Sequence, residues 1–365
     1  MLRGIYPCSK KARRVALTIA HRKVDLFMAE IKGEIHRRRH RLAEVVPLDT
    51  PYVMFIDPSS VCNFRCRFCP SNNMTAEQGM QRGFMSEETF CKVLDGMAEF
   101  PRKVKVVELY CIGEPLLNKR TTSMIHELKY SGGGYAEKVR LTTNGSCLTH
   151  ELSFALVEAG LDYMKVSIEA LDAAGYKDIC GADIDFGHLV EEIGYLYSIS
   201  RGRTEIAIKI VDAALHSEED KQRFLETFAP ISDFTFIEKL KAIWSEYDGV
   251  PVDAGLDVSD LDYYTRMNSN HEICAYPLTH MLIHSNGDIG VCGVDWKHGT
   301  VYGNVHSMTL REAWNSESLR RFRLAHLQGR RKEIPFCCHC SQVSNDDVDA
   351  DAAEIAKKLE HSGWI

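Results

Sequence analysis

The chain lacks a long hydrophobic run. None of its 365 residues form an apolar stretch near the roughly 20 residues that a membrane-spanning helix requires. The apolar segment Val15–Ala20 is short and lies among Lys and Arg. No secretory leader precedes the cysteines, so the 13 cysteines predict reduced thiols in a cytoplasmic protein rather than a disulfide framework. We therefore expect a protein without a transmembrane segment.

A strong net charge is also missing, but the charge is unevenly distributed. The formal net charge is −7, whereas the first 41 residues contain 12 Lys and Arg and the segment Asp346–Asp351 is acidic. Two interpretations of the basic segment stay open: contact with an anionic partner such as nucleic acid or membrane lipid, and a solvated helix face that packs on the catalytic domain.

Strand-like and helix-like segments alternate from Tyr52 onward, which is typical of a parallel β/α sheet or barrel. The predicted strands are Tyr52–Asp57, Val104–Tyr110, Val139–Thr143, Tyr163–Glu169, Glu205–Val211 and Asp233–Glu238. The amphipathic segments between them are Ser86–Glu99, Asn118–Tyr130, Thr149–Ala159, Phe186–Ser198 and Ser217–Phe228. Several of these begin with Ser, Thr or Asn, which are common N-caps.

A run of three cysteines follows the first predicted strand. Cys62, Cys66 and Cys69 are separated by three and then two residues. A [4Fe–4S] cluster normally takes four Cys thiolates, so three on one loop leave one iron for a non-protein ligand. The alternatives are a zinc knuckle or a chance group of buried thiols, although zinc sites more often pair one such motif with a distant second pair.

This run resembles the signature of the radical S-adenosylmethionine (SAM) enzymes, in which the open iron chelates SAM and an electron cleaves it to a 5′-deoxyadenosyl radical. Further matches to that family are Phe68, Gly113-Glu114-Pro115, Thr142-Thr143-Asn144-Gly145 and Ser167. The resemblance implies a partial (β/α)6 TIM-like barrel. It also implies that Phe68 lies near the adenine, Glu114 with its neighbours near the amino group, and Asn144 and Ser167 near the ribose and carboxylate of SAM.

The sequence departs from the family pattern in two places. Ile112 replaces the first Gly of Gly-Gly-Glu-Pro, and Cys180-Gly181 stands where many relatives have Arg-Gly. That Arg usually binds the carboxylate of SAM. Lys209 on the fifth predicted strand is a possible substitute, and a barrel-edge lysine in water is the alternative.

A second group of cysteines lies in the last third of the chain. Cys274 and Cys292 bracket a predicted hairpin, Met281–Cys292, with an Asn-Gly-Asp turn, and Cys337-Cys338-His339-Cys340 follows. This pattern resembles the SPASM and twitch domains of many radical SAM enzymes. Because no cysteine follows Cys340, we expect one auxiliary [4Fe–4S] cluster on Cys274, Cys292, Cys337 and Cys340, with Cys338 as a free thiol. A structural zinc is the alternative.

These assignments divide the chain into five expected regions. They are a basic helical extension (1–50), the radical SAM barrel (51–240), a linker (241–273), the auxiliary cluster domain (274–345) and an acidic helix or tail (346–365). Trp244 and Tyr247 are candidate substrate contacts, because they lie between the expected barrel and the expected auxiliary domain. Core packing is the commoner role of such aromatic residues.

The one-cluster arrangement most resembles the 2-deoxy-scyllo-inosamine dehydrogenase type within the superfamily. It implies hydrogen abstraction from a small polyol, aminocyclitol, sugar or sugar-nucleotide and oxidation of a secondary alcohol. The auxiliary cluster would accept an electron, His284 is a candidate base, and a flavodoxin or ferredoxin is the expected electron donor.

Three alternatives to this oxidation remain. One is epimerisation, for which Cys111, Cys180 and Cys338 are candidate hydrogen donors, although free cysteines are commonly small buried hydrophobes. The second is modification of a peptide or protein. The third is an iron–sulfur electron carrier or nucleic-acid-binding protein, against which the predicted SAM residues Glu114, Asn144 and Ser167 argue.

Overall fold

Six parallel strands form the main sheet of the protein. A computed structural model describes residues 41–69, 82–238, 273–338, 340 and 351–365. The strands are β1 (Val53–Ile56), β2 (Val104–Leu109), β3 (Ala136–Thr143), β4 (Tyr163–Ile168), β5 (Glu205–Val211) and β6 (Phe234–Glu238). All six coincide with the predicted strands to within a few residues.

The sheet continues past β1 into the cysteine-rich C-terminal part. Strands β7 (His280–Ile283), β8 (Asp288–Gly290) and β9 (Gly303–Asn304) extend it, giving the order β6-β5-β4-β3-β2-β1-β7-β8-β9. β7 is parallel to β1 with Val53 opposite His280, and β8 returns antiparallel as the predicted hairpin. β1 therefore belongs to both parts of the molecule.

Helices connect the strands and cover the outer face of the sheet. Those up to β6 are α1 (Leu42–Val45), α2 (Glu87–Ala98), α3 (Thr121–Tyr130), α4 (His150–Glu158), α5 (Ala173–Cys180), α6 (Phe186–Ser200) and α7 (Glu218–Phe228). The later ones are α8 (Tyr276–Thr279), α9 (Leu310–Trp314), α10 (Glu317–Leu327) and α11 (Ala352–His361). Ser86, Thr149 and Ser217 accept backbone hydrogen bonds as N-caps, as predicted for these positions.

Helices α5 and α10 are not predicted from the sequence. α5 is short and begins after the N-cap Asp172, and α10 has mostly polar residues, so its apolar face is narrow. The predicted basic extension up to residue 40, the linker at 241–272 with Trp244 and Tyr247, and residues 341–350 lie outside the described residues. In the part of the chain that the structure describes, no helix is both long enough and apolar enough to cross a membrane.

The two faces of the sheet differ in chemistry. On β3 and β4 the outward residues Val139, Leu141, Met164 and Val166 are fully buried beneath the helices. The alternating inward residues, among them Arg140 and Lys165, are polar and partly exposed. The inner face, which we call the lumen, is therefore built to hold a polar ligand rather than a packed core.

The C-terminal helices are fastened by one buried aromatic group. Trp314 of α9 is completely buried, packs edge-on against Trp364 with ring centroids 5.6 Å apart, and donates its indole N–H to the Leu48 carbonyl. The Arg323 guanidinium lies 4.4 Å from the Trp314 ring and 3.6 Å from the Trp364 ring. These contacts join α9, α10 and the C-terminus to the segment that precedes β1.

We predict that Trp314→Ala destabilises the protein by about 3–5 kcal/mol because it removes a fully buried indole and leaves a cavity. Thermal unfolding followed by near-ultraviolet circular dichroism measures the change. Phe154→Ala is the control: this side chain is 55% exposed, so its removal should change stability by only about 0.5 kcal/mol. Equal unfolding temperatures for the two variants would contradict the proposed role of Trp314.

Candidate active site

The three-cysteine loop lies at the carboxyl end of β1. Its backbone is held by the last turn of α5, because the Arg65 N–H donates to the Cys180 carbonyl (2.8 Å) and the Arg67 N–H to the Ile179 carbonyl (3.0 Å). Cys62, Cys66 and Cys69 form no disulfide within the described part of the chain, and each is partly exposed. Three accessible thiols on one fixed loop are the donor set that a SAM-binding iron–sulfur cluster needs.

Gly113 brings the end of β2 into contact with this loop. A Cβ atom at Gly113 would lie 2.1 Å from the Ser59 carbonyl oxygen and 2.5 Å from that of Val61, so no side chain fits there. The next residue, Glu114, donates its backbone N–H to the Val61 carbonyl at 2.8 Å. Gly113, the glycine of the family motif that this chain keeps, therefore lets the backbone of β2 approach the cysteine loop. Ile112 stands where the family motif has its first glycine, and its side chain packs against Trp296 and Phe336.

The Glu114 carboxylate joins the ends of β2 and β3. It is 2% exposed and accepts hydrogen bonds from the Thr143 hydroxyl (2.7 Å), the Asn144 N–H (2.7 Å) and the Leu116 N–H (3.0 Å). Burial raises the pKa of Glu114, while these donors oppose that effect. The contact between Glu114 and the amino group of SAM stays a prediction. A carboxylate can accept about four hydrogen bonds, so one acceptor position of Glu114 remains for that contact.

The other predicted SAM residues lie along the same carboxyl edge. Asn144 donates its side-chain amide to the Asn63 side-chain oxygen (3.0 Å) and lies 3.9 Å from the Cys62 sulfur. Ser167 is 8% exposed near the end of β4, and Pro115 begins a short 3-10 turn. Phe68 is partly buried against the core. The structure thus brings the family motifs of β1 to β4 to one edge, around the cysteine loop.

The two departures from the family pattern have structural counterparts. Cys180 is 1% exposed and its sulfur lies 3.5 Å from that of Cys66, so this side chain packs behind the cluster loop. Lys209 forms an ion pair with Glu238 on the neighbouring strand. Burial disfavours the charged amine of Lys209, but Glu238 and Glu169 outweigh it and raise its pKa. Lys209 is therefore charged and close to the site, with one carboxylate already bound.

Sequence reasoning missed most of the charged residues of the lumen. Glu108, Arg140 and Lys165 occupy inward positions on β2, β3 and β4, and Glu169 follows β4 at 7% exposure. Arg140 pairs with Glu108 at 3.0 Å. The signal was available, because charged residues at alternate positions of otherwise apolar strands indicate a polar inner face.

The predicted hydrogen donors lie in three different places. The Cys111 thiol, which follows β2, donates to the Gly293 carbonyl at 3.2 Å. Cys180 lies behind the cluster loop, as described above. The Cys338 thiol donates to the Pro335 carbonyl at 3.0 Å and does not line the cavity of the other C-terminal cysteines. The described geometry therefore does not bring the three thiols together.

His284, the predicted base, is fully buried. Its ring stacks on His298 with centroids 3.6 Å apart, and neither of its nitrogens has a hydrogen-bond partner among the described residues. Burial, reinforced by His298, lowers the pKa of His284 to about 3. The role of base stays a prediction for this neutral imidazole. Next to it, Asp57 at the end of β1 is 1% exposed, and burial raises its pKa to about 7.

Four of the C-terminal cysteines line one cavity. Cys274, Cys292, Cys337 and Cys340 border an open space of about 370 Å³, together with His326 and Arg331. The Arg331 guanidinium donates to the carbonyls of Cys337 (2.6 Å) and Cys340 (3.1 Å), which fixes the turn and adds a positive charge beside the thiols. Both ring nitrogens of the buried His326 lack a partner among the described residues. The donor set and the unpartnered imidazole both fit a bound iron–sulfur cluster.

A single zinc ion is the alternative to a cluster at these thiols. Over the described ranges, which include all four of these cysteines, no three His, Cys, Asp or Glu side chains converge closely enough to hold one metal ion. In a [4Fe–4S] cluster each thiolate binds a different iron, so the sulfurs stand further apart than around one zinc. Burial raises the pKa of the Cys62 thiol to about 11 and also that of Cys337, so iron binding must release protons.

Comparison with known proteins agrees with this geometry. The profile of the Radical SAM superfamily matches residues 56–242, and that of SPASM, an iron-sulfur cluster-binding domain, matches residues 274–341. The chain is 31% identical over 349 residues to the tungsten-containing aldehyde ferredoxin oxidoreductase cofactor-modifying protein of Pyrococcus furiosus, covering 85% of this chain and 91% of that relative.

Two further similarities are more limited. A probable GTP 3′,8-cyclase of Sulfurisphaera tokodaii is 37% identical over 123 residues, which is 34% of this chain and 36% of that protein. The crystal structure of BtrN in complex with AdoMet and 2-DOIA has a TM-score of 0.51 and 18% identity, covering 80% of this chain and 94% of BtrN. At that identity the likeness to BtrN concerns the fold.

We predict that Gly113→Ala disrupts the cluster loop, because the new methyl group would overlap the Ser59 and Val61 carbonyls. Anaerobic reconstitution followed by iron analysis and a SAM-binding assay should show loss of SAM binding and less iron per chain. Gly83→Ala is the matched control, since a Cβ there meets nothing within 4 Å. SAM binding by Gly113→Ala at the wild-type level would show that the close approach is dispensable.

Proposed function

Because the chain belongs to the radical SAM superfamily, we propose that it removes a hydrogen atom from a small polyol, aminocyclitol, sugar or sugar-nucleotide and oxidises a secondary alcohol of that substrate. A [4Fe–4S] cluster, SAM and an auxiliary iron–sulfur cluster are the cofactors of its two domains. One observation carries the proposal: four cysteines line the auxiliary cavity. Four protein thiolates leave no open iron, which suits electron transfer better than substrate binding.

When bound, the cluster and SAM supply a 5′-deoxyadenosyl radical that takes the hydrogen atom from the carbinol carbon. The hydroxyl proton would pass to a base, and an auxiliary cluster held by Cys274, Cys292, Cys337 and Cys340 would supply an acceptor for the second electron, so that the alcohol would become a ketone. The substrate loses two electrons and two protons in total. One electron enters from a flavodoxin or ferredoxin, which we propose as the external partner.

The residues of the chain divide this work between them. We propose that Cys62, Cys66 and Cys69 hold the first cluster, and that Cys274, Cys292, Cys337 and Cys340 hold the auxiliary one. Phe68, Gly113, Glu114, Pro115, Asn144 and Ser167 frame the SAM molecule, with Lys209 near its carboxylate. The support is their common position at the carboxyl edge of β1 to β5, where β/α barrels carry their reactive groups.

A second candidate substrate class is an enzyme cofactor. The relative from Pyrococcus furiosus is named as a cofactor-modifying protein and is 31% identical over 85% of this chain, whereas BtrN is 18% identical over 80% of it. This proposal keeps the same hydrogen abstraction and the same cluster ligands. It changes only the molecule that enters the lumen.

The oxidation is tested by anaerobic turnover with SAM, a reductant and a panel of polyols, aminocyclitols and sugar-nucleotides. We expect 5′-deoxyadenosine and a ketone or aldehyde in equal amounts from the wild type. Cys66→Ala should form neither, because it lacks a cluster ligand. Cys91→Ala is the control, since Cys91 is exposed on α2 and outside both cysteine groups.

Two results would contradict the oxidation in different ways. If 5′-deoxyadenosine forms without any dehydrogenated product, and an epimer carrying solvent deuterium appears instead, the reaction is an epimerisation. Loss of that deuterium in Cys111→Ala would then identify the hydrogen donor. If the wild type forms no 5′-deoxyadenosine at all, the radical SAM activity itself is absent.

A further inference from the structure

Three cationic side chains form a diagonal row on the inner face of three adjacent strands. Arg140 of β3 lies opposite Tyr163, Lys165 of β4 lies opposite Thr142 of β3 and Ala207 of β5, and Lys209 of β5 lies opposite Ser167 of β4. Each cation is therefore one inward position nearer the carboxyl edge than the last. The three form a rising row that ends beside the predicted SAM residues.

The two outer cations of this row are neutralised by the protein. Arg140 pairs with Glu108 on β2 at 3.0 Å, and Lys209 pairs with Glu238 on β6. Each of these carboxylates lies on the strand that flanks the row, β2 for Glu108 and β6 for Glu238. Each of these two cations therefore already has a carboxylate of the protein beside it.

Lys165, at the centre of the row, has no such partner. Within the described ranges its ammonium forms no ion pair or hydrogen bond, and its described contact is with the face of the Tyr110 ring, 5.7 Å from the centroid. Burial lowers the pKa of Lys165 and the neighbouring charge of Lys209 adds to this effect, whereas Glu238 and Glu108 oppose it. Lys165 is partly exposed to the lumen, and both of these carboxylates already bind another cation of the row, so its ammonium is accessible to an anion from a ligand.

Resting on the proposed function, we infer that Lys165 binds an anionic group, phosphate or carboxylate, of the substrate inside the lumen. The substrate is then a sugar-nucleotide, a sugar phosphate or a sugar acid rather than a neutral polyol or a cationic aminocyclitol. An aminocyclitol would place its ammonium beside three cations of the protein, two of which are already paired.

The position of Lys165 favours the substrate over SAM as the source of the anion. Ser167, the predicted SAM residue of β4, lies two residues nearer the carboxyl edge on the same face. Lys165 therefore lies one inward position further from the carboxyl edge, where the predicted SAM residues lie, than Ser167 does.

The test is calorimetric titration of the reconstituted full-length protein with uridine diphosphate, glucuronate and, as a neutral probe, glucose. We expect at least one anion to bind the wild type and to bind Lys165→Met about tenfold to a hundredfold more weakly, as for loss of a hydrogen bond to a charged group. The anion that responds identifies phosphate or carboxylate. Lys138→Met is the matched control, because Lys138 lies exposed at the amino end of β3.

Several results would overturn the inference. The first is that the wild type binds neither anion, and the second is that Lys165→Met binds the anion as tightly as the wild type does. The third is that Lys165→Met loses only SAM binding, which would assign Lys165 to the SAM carboxylate. Lys165→Gln provides a second neutral variant if the Met variant does not fold. Formation of 5′-deoxyadenosine by each variant is measured in parallel, so a failure of this inference is distinct from a failure of the radical SAM activity.

Discussion

The contact between the end of β2 and the cysteine loop is the constraint on which the site depends. Gly113 allows the backbone after β2 to contact the Ser59 and Val61 carbonyls. The buried Glu114 carboxylate then accepts hydrogen bonds from the end of β3 and from the turn that follows Glu114 itself. A buried carboxylate is costly unless its oxygens are satisfied, and here three donors satisfy them. The buried carboxylate therefore fixes the end of β3 against the turn that follows β2.

The continuous sheet joins the two cluster-binding parts of the chain. β1 pairs with β2 on one side and with β7 on the other, and both pairings are parallel. The cysteine loop of the SAM cluster follows β1, while the auxiliary cysteines flank the β7–β8 hairpin. The relative position of the two cysteine groups is therefore set by the backbone hydrogen bonds between β1 and β7.

The sequence predicted the strands and the cysteine groups well, because both depend on local pattern. Apolar runs bounded by turn residues identified β1 to β6, and the cysteine spacings identified the two metal-binding segments. The lumen could not be predicted in the same way. The ion pairs of Arg140 with Glu108 and of Lys209 with Glu238 join different strands, so no local sequence pattern indicates them. The burial of His284 likewise follows from its stacking on His298, which no local pattern indicates.

We propose that two separate cysteine groups hold two iron–sulfur clusters and that the first cluster binds SAM. Anaerobic iron and sulfide analysis with EPR spectroscopy, on the wild type and on a Cys62/Cys66/Cys69→Ala triple variant, tests it most directly. The account predicts about eight iron per wild-type chain and about four in the variant, with loss of the EPR signal that SAM perturbs. Four iron in the wild type with zinc in the second group, or a SAM-perturbed signal that survives in the variant, would contradict it.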